Sequence, residues 1–339
     1  GDINSEIKKG SPFTVRLKTP NDGKTNFKDL IYGNISVSNN EIDDFIISRS
    51  DGSPVYNFTN VIDDSSMEIT HVIRGEDHIS NTPKQILIYR ALGFRVPIFA
   101  HLPMILGEDK KRLSKRHGAA GVNEYESMGY QQDAILNYLA LLGWNPGTEE
   151  EIFDLGSLIK NFDIRKVQKK SAIFDQRKFN WISSQHLIKE DSKKVLNRLA
   201  IIDPEWGRSN RQDYLIKVIN LMKPRSNSLT DLIDQSQYFF SSPKKFNSTQ
   251  LRKIWKKDTA EKIIELKSVL DSINNWVAIE LESKFKNFTH KKGIGIGKVM
   301  QPMRLLICGS LQGPSLFDLM ELIGKEESLK RINYAINEF

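Results

Sequence analysis

Residues 67–106 change their hydrophobic period twice, and this change limits the possible folds more than any other feature of the chain. Met67–Ile73 and Ile98–Leu106 are apolar runs of strand length. Between them, Thr82 can cap a helix, Pro83 suits its first position, and the apolar residues that follow have helical spacing. A strand, a short helix and a second strand form a crossover, so the two strands are predicted to be parallel and buried on both faces.

Ligands of parallel sheets bind beyond the carboxyl ends of the strands, and two polar segments of this chain lie there. The first strand runs into Arg74, Gly75, Glu76 and Asp77, where the Arg74 guanidinium can hold a carboxylate through paired N–H donors. The alternative is an ion pair of Arg74 with Glu76 or Asp77. The second strand leads into GEDKKRLSKRHGAAG (107–121), which carries five basic side chains and a histidine. Elsewhere such a run is typical of a solvated loop, but at this edge it predicts a polyphosphate site.

The residues before the crossover are predicted to be β structure. Asp44–Ser50, an Asp-Gly turn and Val55–Ile62 have the pattern of a hairpin. On its second strand, Tyr56 and Asn60 are four residues apart and would share one face, where they either add a phenol and an amide to a site or fill the core. His101, inside an apolar strand, is predicted to be a hydrogen-bonded core histidine rather than a ligand.

Helical patterns dominate the second half of the chain. A helix is predicted over Ala134–Leu142, and from about residue 190 helical stretches alternate with short breaks rich in Pro, Ser and Asn. These stretches are Lys193–Leu199, Tyr214–Met222, Leu229–Asp234, Ala260–Ile273, Trp276–Phe285, 305–324 and 325–339. The predicted fold class is therefore α/β followed by all-α.

The segment KKGIGIGKVMQPMR (291–304) superficially imitates a phosphate-binding loop. It has Lys292 where the P-loop pattern requires glycine and Val299 where it requires Ser or Thr, so that reading is rejected. The segment is predicted to be a basic turn between helices, in which Arg304 can contact a base or a phosphate.

Composition excludes several classes of protein. Cys308 is the single cysteine, so the chain has neither a disulfide framework nor a cysteine zinc site of its own. No apolar run approaches the ~18 residues of a membrane-spanning helix, and we predict a cytoplasmic protein with no membrane partner. The 49 Lys and Arg exceed the 42 Asp and Glu, and the net charge of +7 gives slight support to a nucleic-acid partner.

Several stretches, in this order along the chain, resemble bacterial glutamyl-tRNA synthetase, a class I aminoacyl-tRNA synthetase. RLSKR (112–116) is similar to the second class I signature, a lysine–apolar–serine–lysine–basic loop. The other similar stretches are SDGSPVYNFTNVIDD, ITHVIRGEDHISNTPKQILIYRALG, FAHLPMILG, ILNYLALLGW and QPMRLLICGSLQGPSLFDLMELIGKE. The resemblance covers essentially the whole chain. It implies the second half of a Rossmann-type parallel sheet, a stem-contact region and a C-terminal helical anticodon-binding region.

The resemblance also implies a function and residue roles. The function is ATP-dependent attachment of L-glutamate to tRNA(Glu) through glutamyl-adenylate by a monomer, with ATP as substrate, Mg²⁺, and no zinc in this chain. The implied roles are glutamate binding by Tyr56, Asn60 and Arg74, ATP binding by Asp77, Met104, Ile105 and Lys115, catalysis by Ser114 and Lys115, and anticodon binding by Arg225, Arg304, Gly313, Pro314 and Leu316.

Two departures from the family pattern stand out. Arg112 occupies the first basic position of the loop, where the family commonly has lysine, and this keeps the charge. None of the six histidines lies in a His-x-Gly-His motif, the first class I signature. The expectation is therefore a C-terminal portion of a longer enzyme that forms no glutamyl-adenylate by itself.

The implied domains are a remnant of the acceptor-binding insertion (1–43), the second half of the Rossmann-like domain (44–106), the loop and stem-contact region (107–190), and two helical anticodon subdomains (191–248 and 249–339).

Three alternative functions remain. One is a tRNA-binding module without chemistry. Another is a metal-dependent nuclease that uses Asp63, Asp64, Glu76 and Asp77. The third is the truncated paralogue that glutamylates a modified tRNA base, against which the long helical half argues.

Overall fold

The computed structural model describes residue 7 and residues 9–113, 121–244, 246 and 248–338. The chain divides into two compact units. The first contains Gly1–Ala119 and Asn137–Asp175, and the second contains Ala120–Leu136 and Gln176–Phe339.

A four-stranded sheet organises the first unit. The strands of this unit are β1 (Val15–Arg16), β2 (Lys24–Asp29), β3 (Gly33–Ser38), β4 (Ile46–Ser48), β5 (His71–Gly75), β6 (Ile98–Leu102), β7 (Ile105–Leu106) and β8 (Ala172–Ile173). The sheet order is β3-β2-β6-β5, and β5 and β6 are parallel from His71 opposite Ile98 to Gly75 opposite Leu102. The predicted parallel crossover is thereby confirmed, but the predicted burial on both faces is wrong for β5, which has no buried residue and leaves Ile73 55% exposed. β2 pairs antiparallel with β3 and parallel with β6, so residues 24–38 belong to the same sheet as the crossover.

The second strand predicted for the early hairpin is wrong, because those residues form α1 (Tyr56–Ser66). The chain does turn after β4, with Gly52 at a φ of 82°, but Pro54 makes only a single bridge to Ser48 before the helix begins. Phe58 and Val61 face the core at helical spacing. A short apolar run fits a strand and a buried helix equally well, and here packing decided for the helix.

The crossover helix is α2 (Thr82–Ala91), and Asn81 rather than Thr82 precedes its first turn. The predicted strand Ile98–Leu106 is interrupted after Leu102. Pro103 follows, which has no N–H to continue the ladder. The chain then pairs again as β7, with β8 as its parallel partner.

Most helices after the sheet lie where helical patterns were predicted, but Val122–Ser127, Leu155–Asn161, Gln176–Lys189 and Ser248–Ile254 were not predicted. The helices after the sheet are α3 (Val122–Ser127), α4 (Gln132–Leu141), α5 (Leu155–Asn161), α6 (Gln176–Lys189), α7 (Ser192–Ile202), α8 (Gln212–Met222), α9 (Leu229–Ser236), α10 (Ser248–Ile254), α11 (Thr259–Asp271), α12 (Ala278–Lys291), α13 (Gly297–Cys308), α14 (Leu316–Ile323) and α15 (Lys325–Glu338). Within the described part of the chain, none of them has the length and apolar character needed to cross a membrane. The α/β-then-helical fold class is confirmed.

The stretch 305–324, predicted as one helical segment, contains the end of one helix and the whole of the next. α13 stops at Cys308 because Gly309 adopts a left-handed φ of 73°, which glycine reaches without steric cost. α14 then begins after Ser315, whose side chain accepts a hydrogen bond from the Asp318 N–H. α13 itself starts at Gly297, inside the segment predicted to be a turn.

Candidate functional site

The guanidinium of Arg74 lies at the carboxyl end of β5 and is held by three side chains. Its Nε–H donates to His101 Nε2 at 3.2 Å, and its Nη2 donates to Thr82 Oγ1 and Gln85 Oε1, both at 2.8 Å. Thr82 and Gln85 are three residues apart and share one face of α2. The ring of Phe99 lies 5.6 Å from the guanidinium carbon. Arg74 is thus oriented by its own chain, and none of these bonds uses Nη1.

His101 connects Arg74 to a buried carboxylate. Its Nδ1 lies 2.7 Å from Asp29 Oδ2, and both side chains are inaccessible to solvent. Asp29 also accepts the main-chain N–H groups of Ile31 and Tyr32 at 2.8 Å and of His101 at 3.1 Å. Because arginine only donates, His101 Nε2 must be the acceptor and Nδ1 must carry the proton given to Asp29. His101 is therefore the hydrogen-bonded core histidine that was predicted, and it orients Arg74.

The neutral state of His101 gives the protein a predictable pH dependence. Burial lowers the pKa of His101, and the hydrogen bond to Asp29 offsets only part of that effect. Below about pH 6.5, the ordinary histidine value, the unfolded chain binds a proton that the folded chain excludes, so stability falls as the pH drops. We expect the free energy of unfolding, measured with urea, to fall more between about pH 7.5 and about pH 5.5 in the wild type than in His101→Gln. Parallel curves for the two proteins would contradict this role of His101.

The two acidic residues beside Arg74 pair with other groups. The Glu76 carboxylate accepts a hydrogen bond from the Tyr32 hydroxyl. The exposed Asp77 carboxylate lies 3.5 Å from the Arg112 guanidinium. The alternative in which Arg74 forms an ion pair with Glu76 or Asp77 is therefore wrong. In the part of the chain that the structure describes, no carboxylate lies within ion-pair distance of Arg74.

The electrostatics of Arg74 favour the binding of an anion. Burial lowers the pKa of Arg74, while the Tyr56 hydroxyl and the Asp64 carboxylate counteract this effect. A half-buried cation is costly to keep without a counter-charge, and a bound carboxylate supplies one through charge-assisted hydrogen bonds.

Tyr56 and Asn60 share one face, as predicted, but they do so one turn apart on α1 rather than along a strand. The Tyr56 hydroxyl lies 3.3 Å from His78 Nδ1, and the two rings are 5.8 Å apart. Tyr56 is half exposed and Asn60 is half-buried. The phenol, the imidazole and the Arg74 guanidinium therefore surround one rim of the sheet.

The start of the basic loop is a tight hairpin. The Leu113 N–H donates to the Ile105 carbonyl at 2.9 Å, and the Gly107 N–H donates to the Lys111 carbonyl at 2.8 Å. This fold brings Arg112 to Asp77 at the end of β5. Ser114 and Lys115, the two predicted catalytic residues, lie outside the described residues.

Main-chain atoms predicted to approach ATP are partly occupied. The Met104 N–H donates to Glu76 at 2.9 Å, and its carbonyl accepts the Ala172 N–H at 3.2 Å. The Met104 N–H is therefore committed to Glu76, while its carbonyl oxygen keeps a second lone pair with which it can accept from a ligand.

In the helical unit, Arg304 and Gly313 lie together. Arg304 Nη1 donates to the Pro314 carbonyl at 2.6 Å. A Cβ on Gly313, which has a φ of 151°, would lie 3.2 Å from that nitrogen and 3.3 Å from the Tyr238 hydroxyl. Burial raises the pKa of Tyr238, and the charges of Arg304 and Arg225 both act to lower it. These residues therefore form one cluster, in which only Arg225 is fully exposed.

Pro314 and Leu316 have a different role from the other predicted anticodon residues. Both side chains are buried, and Leu316 belongs to the helical core. In this conformation residues 313–316 can offer a ligand their main chain, but not the Leu316 side chain.

The carboxylates of the nuclease alternative do not gather. Asp64 is hydrogen-bonded to the Tyr89 hydroxyl at 3.4 Å, Asp77 faces Arg112, and Glu76 bonds to Tyr32. Across the described ranges, no group of three or more His, Cys, Asp or Glu side chains could hold a metal ion. The geometry on which the nuclease alternative depends is therefore missing from this part of the chain.

Several residues of the site were not predicted. Gln85 left a signal, since it is a polar residue on the apolar face of a predicted helix. Thr82 was assigned only to capping the crossover helix. Asp29 left no local signal, because it meets His101 only through the pairing of β2 with β6.

Comparison with known proteins identifies relatives along the whole chain. The family model described as tRNA synthetases class I (E and Q), catalytic domain, matches residues 1–181, and an anticodon binding domain model matches residues 190–336. The glutamate–tRNA ligase of Moorella thermoacetica is 41% identical over 334 residues, which are 96% of this chain and 68% of that protein. Glutamate–tRNA ligase 1 of Syntrophomonas wolfei is 38% identical over 337 residues, 98% of this chain and 68% of that protein.

A solved structure is similar as well. The glutamate tRNA ligase of Elizabethkingia meningosepticum, crystallised in complex with its amino acid, superposes with a TM-score of 0.83 at 35% identity. The similarity covers 99% of this chain and 70% of that chain.

Proposed function

Because this chain belongs to the class I tRNA synthetases of the glutamate and glutamine group, we propose that it carries the site for ATP-dependent attachment of L-glutamate to tRNA(Glu). The observation that carries the proposal is the half-buried Arg74 guanidinium. It is held by Thr82, Gln85 and His101 and has no carboxylate partner among the described residues. An amino acid with a second carboxylate fits that requirement.

The chemistry limits which carboxylate Arg74 can hold. In the first step the glutamate α-carboxylate attacks the α-phosphate of ATP and pyrophosphate leaves. In the second, the terminal ribose hydroxyl of tRNA attacks the mixed anhydride and AMP leaves. The α-carboxylate must stay free to attack, so Arg74 is assigned to the side-chain carboxylate. Tyr56 and Asn60 are assigned to the rest of the amino acid, and these positions serve catalysis through orientation.

The ATP side of the proposed site is formed by Asp77, the main chain of Met104 and Ile105, and the basic loop. Magnesium is assigned to the ATP substrate, because Mg²⁺ in such sites is bound mainly by the phosphates, water and one or two carboxylates. In the helical unit, Arg225, Arg304 and the main chain of residues 313–316 are assigned to the anticodon. The stem-contact region is proposed at 107–190, and the two anticodon subdomains are proposed at 191–248 and 249–339. The family match to residues 190–336 supports a start of the anticodon-binding region near residue 190.

Lys115, with Ser114 beside it, is proposed to stabilise the charge that develops on the departing phosphates. In an active glutamate-charging enzyme that contains this chain, Lys115→Ala should lower the rate of adenylate formation on the order of 10²-fold and leave glutamate affinity little changed. Single-turnover rates over a range of glutamate concentrations separate the two quantities. Lys160→Ala, which removes an exposed lysine of α5 outside the basic loop, is the control. Equal losses of rate and affinity in Lys115→Ala would count against the assignment.

The proposed function is tested by charging tRNA with labelled glutamate, glutamine or aspartate. Glutamate should be attached in strong preference, and attachment of glutamine instead would overturn the assignment of Arg74.

The second candidate, a tRNA-binding module without chemistry, is favoured by the lack of a His-x-Gly-His motif in the sequence. Glutamate-dependent exchange of pyrophosphate into ATP by these 339 residues decides between them, since the module predicts tRNA binding without exchange.

A further inference from the structure

A cavity of about 730 Å³ lies inside the helical unit, between the end of α10 and the first turns of α11 and α13. Four lysines line it, Lys253, Lys256, Lys262 and Lys298, against a single acidic residue, Asp258. We call it the lysine cavity. Part of its lining comes from the glycine-rich segment 291–304, which does not match the P-loop pattern.

The positive charge of the lysine cavity is largely uncompensated. Asp258 forms an ion pair with Lys262, and the hydrogen bond from Lys262 lowers the pKa of that carboxyl. Among the described residues, no carboxylate lies within ion-pair distance of Lys253, Lys256 or Lys298. These three lysines are exposed. Lys256 Nζ donates one long hydrogen bond, to the Arg252 carbonyl at 3.5 Å, and an ammonium has three donors, so each of the three groups can still bind an anion.

Two helix N-termini add positive potential to the lysine cavity. α11 and α13 both begin at its wall, where the helix dipole is positive, although the Thr259, Lys298 and Val299 N–H groups already donate to main-chain carbonyls. Gly295 and Gly297 line the same wall, and a Cβ at either position would meet no atom within 4 Å. Neither glycine has a left-handed φ. Their lack of side chains therefore leaves space beside the main chain that the protein itself does not fill.

The lysine cavity continues into the proposed anticodon site along α13. Gly297, Gln301 and Arg304 are spaced i, i+4 and i+7, which puts them on one stripe of the helix. Gly297 and Gln301 line the cavity, and Arg304 holds the 313–314 turn about 10 Å further along the helix axis. A polyanion bound at Arg304 can therefore extend into the cavity without leaving this helix.

We propose that the lysine cavity binds phosphate groups of the tRNA backbone next to the anticodon. The inference rests on the proposed function, which makes tRNA the partner. Lysine ammonium groups and helix N-termini suit phosphate, and they read no base. The cavity should therefore supply affinity and salt dependence to tRNA binding, but no discrimination between tRNAs.

The test measures the affinity of the 339-residue chain for tRNA(Glu) and for a non-cognate tRNA as a function of KCl concentration. The proteins are the wild type, Lys256→Gln, Lys298→Gln and, as a matched control, Lys257→Gln, which removes a neighbouring exposed lysine that does not line the cavity. Glutamine keeps the side-chain length and helix propensity, and thermal melts check that all four proteins are folded.

Each cavity variant should bind both tRNAs about five- to ten-fold more weakly near 0.1 M salt, and the slope of log K against log[KCl] should become shallower by about 0.7–1. Lys257→Gln should match the wild type. Equal slopes for all four proteins would overturn the inference while leaving tRNA binding by the wild type, and so the proposed function, intact. A wild type that shows no salt-dependent tRNA binding would overturn both.

A second arm distinguishes tRNA phosphates from free phosphate. Inorganic phosphate and pyrophosphate are added to the same four proteins, and melting temperatures are recorded. If these ions stabilise the wild type but not the two cavity variants, while tRNA slopes stay equal, the cavity binds free phosphate and the proposal is wrong. Loss of tRNA slope in the cavity variants supports the proposal whether or not free phosphate also binds.

Discussion

Replacement of Arg74 by alanine is expected to weaken glutamate binding about 1,000-fold, equivalent to about 4 kcal/mol. The loss is large because a half-buried carboxylate would keep its desolvation cost and lose its counter-charge. Arg74→Lys should recover only part of the affinity, since an ammonium cannot reproduce the planar donors that contact Thr82, Gln85 and His101 together with a carboxylate.

The measurement is the glutamate concentration giving half-maximal thermal stabilisation of this chain, or half-maximal charging in an active enzyme that contains it. Arg95→Ala removes an exposed arginine of the same unit and is the control for a change in net charge. Unchanged affinity in a folded Arg74→Ala protein would show that glutamate binds elsewhere. A loss of the same size in Arg95→Ala would reduce the effect to long-range electrostatics.

Replacement of Asp29 by alanine is expected to cost about 3–5 kcal/mol of stability, because buried donors that lose their acceptor cost about 1–3 kcal/mol each. Three main-chain N–H groups and the His101 ring lose the Asp29 carboxylate at once, and of these bonds only the one from Tyr32 is part-buried rather than buried. Asp29→Asn keeps the shape and should lose roughly half as much, because an amide oxygen still accepts but carries no charge.

Thermal and urea unfolding measure this loss, with Asp22→Ala as the control on an exposed aspartate before the same strand. If Asp29 also positions Arg74 through His101, its replacement should lower glutamate affinity, which a purely structural role would leave unchanged. At a temperature where Asp29→Asn is folded, its glutamate affinity should fall, because His101 is free to change tautomer and no longer has to accept from Arg74. Destabilisation with unchanged glutamate affinity would leave Asp29 a structural residue only.

Local sequence was sufficient where one physical signal dominated. The β5–α2–β6 crossover was predictable because its apolar periods change sharply, and the parallel direction of the two strands follows from the helix between them. Most helices of the second half were predictable because their apolar residues also have a clear helical period. Tyr56–Ser66 was not, because a few apolar residues satisfy a strand and a helix alike, and the choice depends on the surface against which they pack.

For the candidate site, the end of a parallel strand indicated Arg74 as a carboxylate-binding residue, whereas site roles for Tyr56 and Asn60 were implied by the family resemblance, and all three assignments stay predictions. Their partners depend on contacts between segments distant in sequence. Asp29 reaches His101 across 72 positions, and only the pairing of β2 with β6 brings them together. Likewise, the lysines of the cavity come from three helices and from the segment between α10 and α11, and no spacing along the chain reveals that they line one cavity. Periodicity and residue type act locally and so are legible in the sequence, whereas the closure of Asp29 on His101 and the gathering of like charges arise only when burial of the cores draws those segments together.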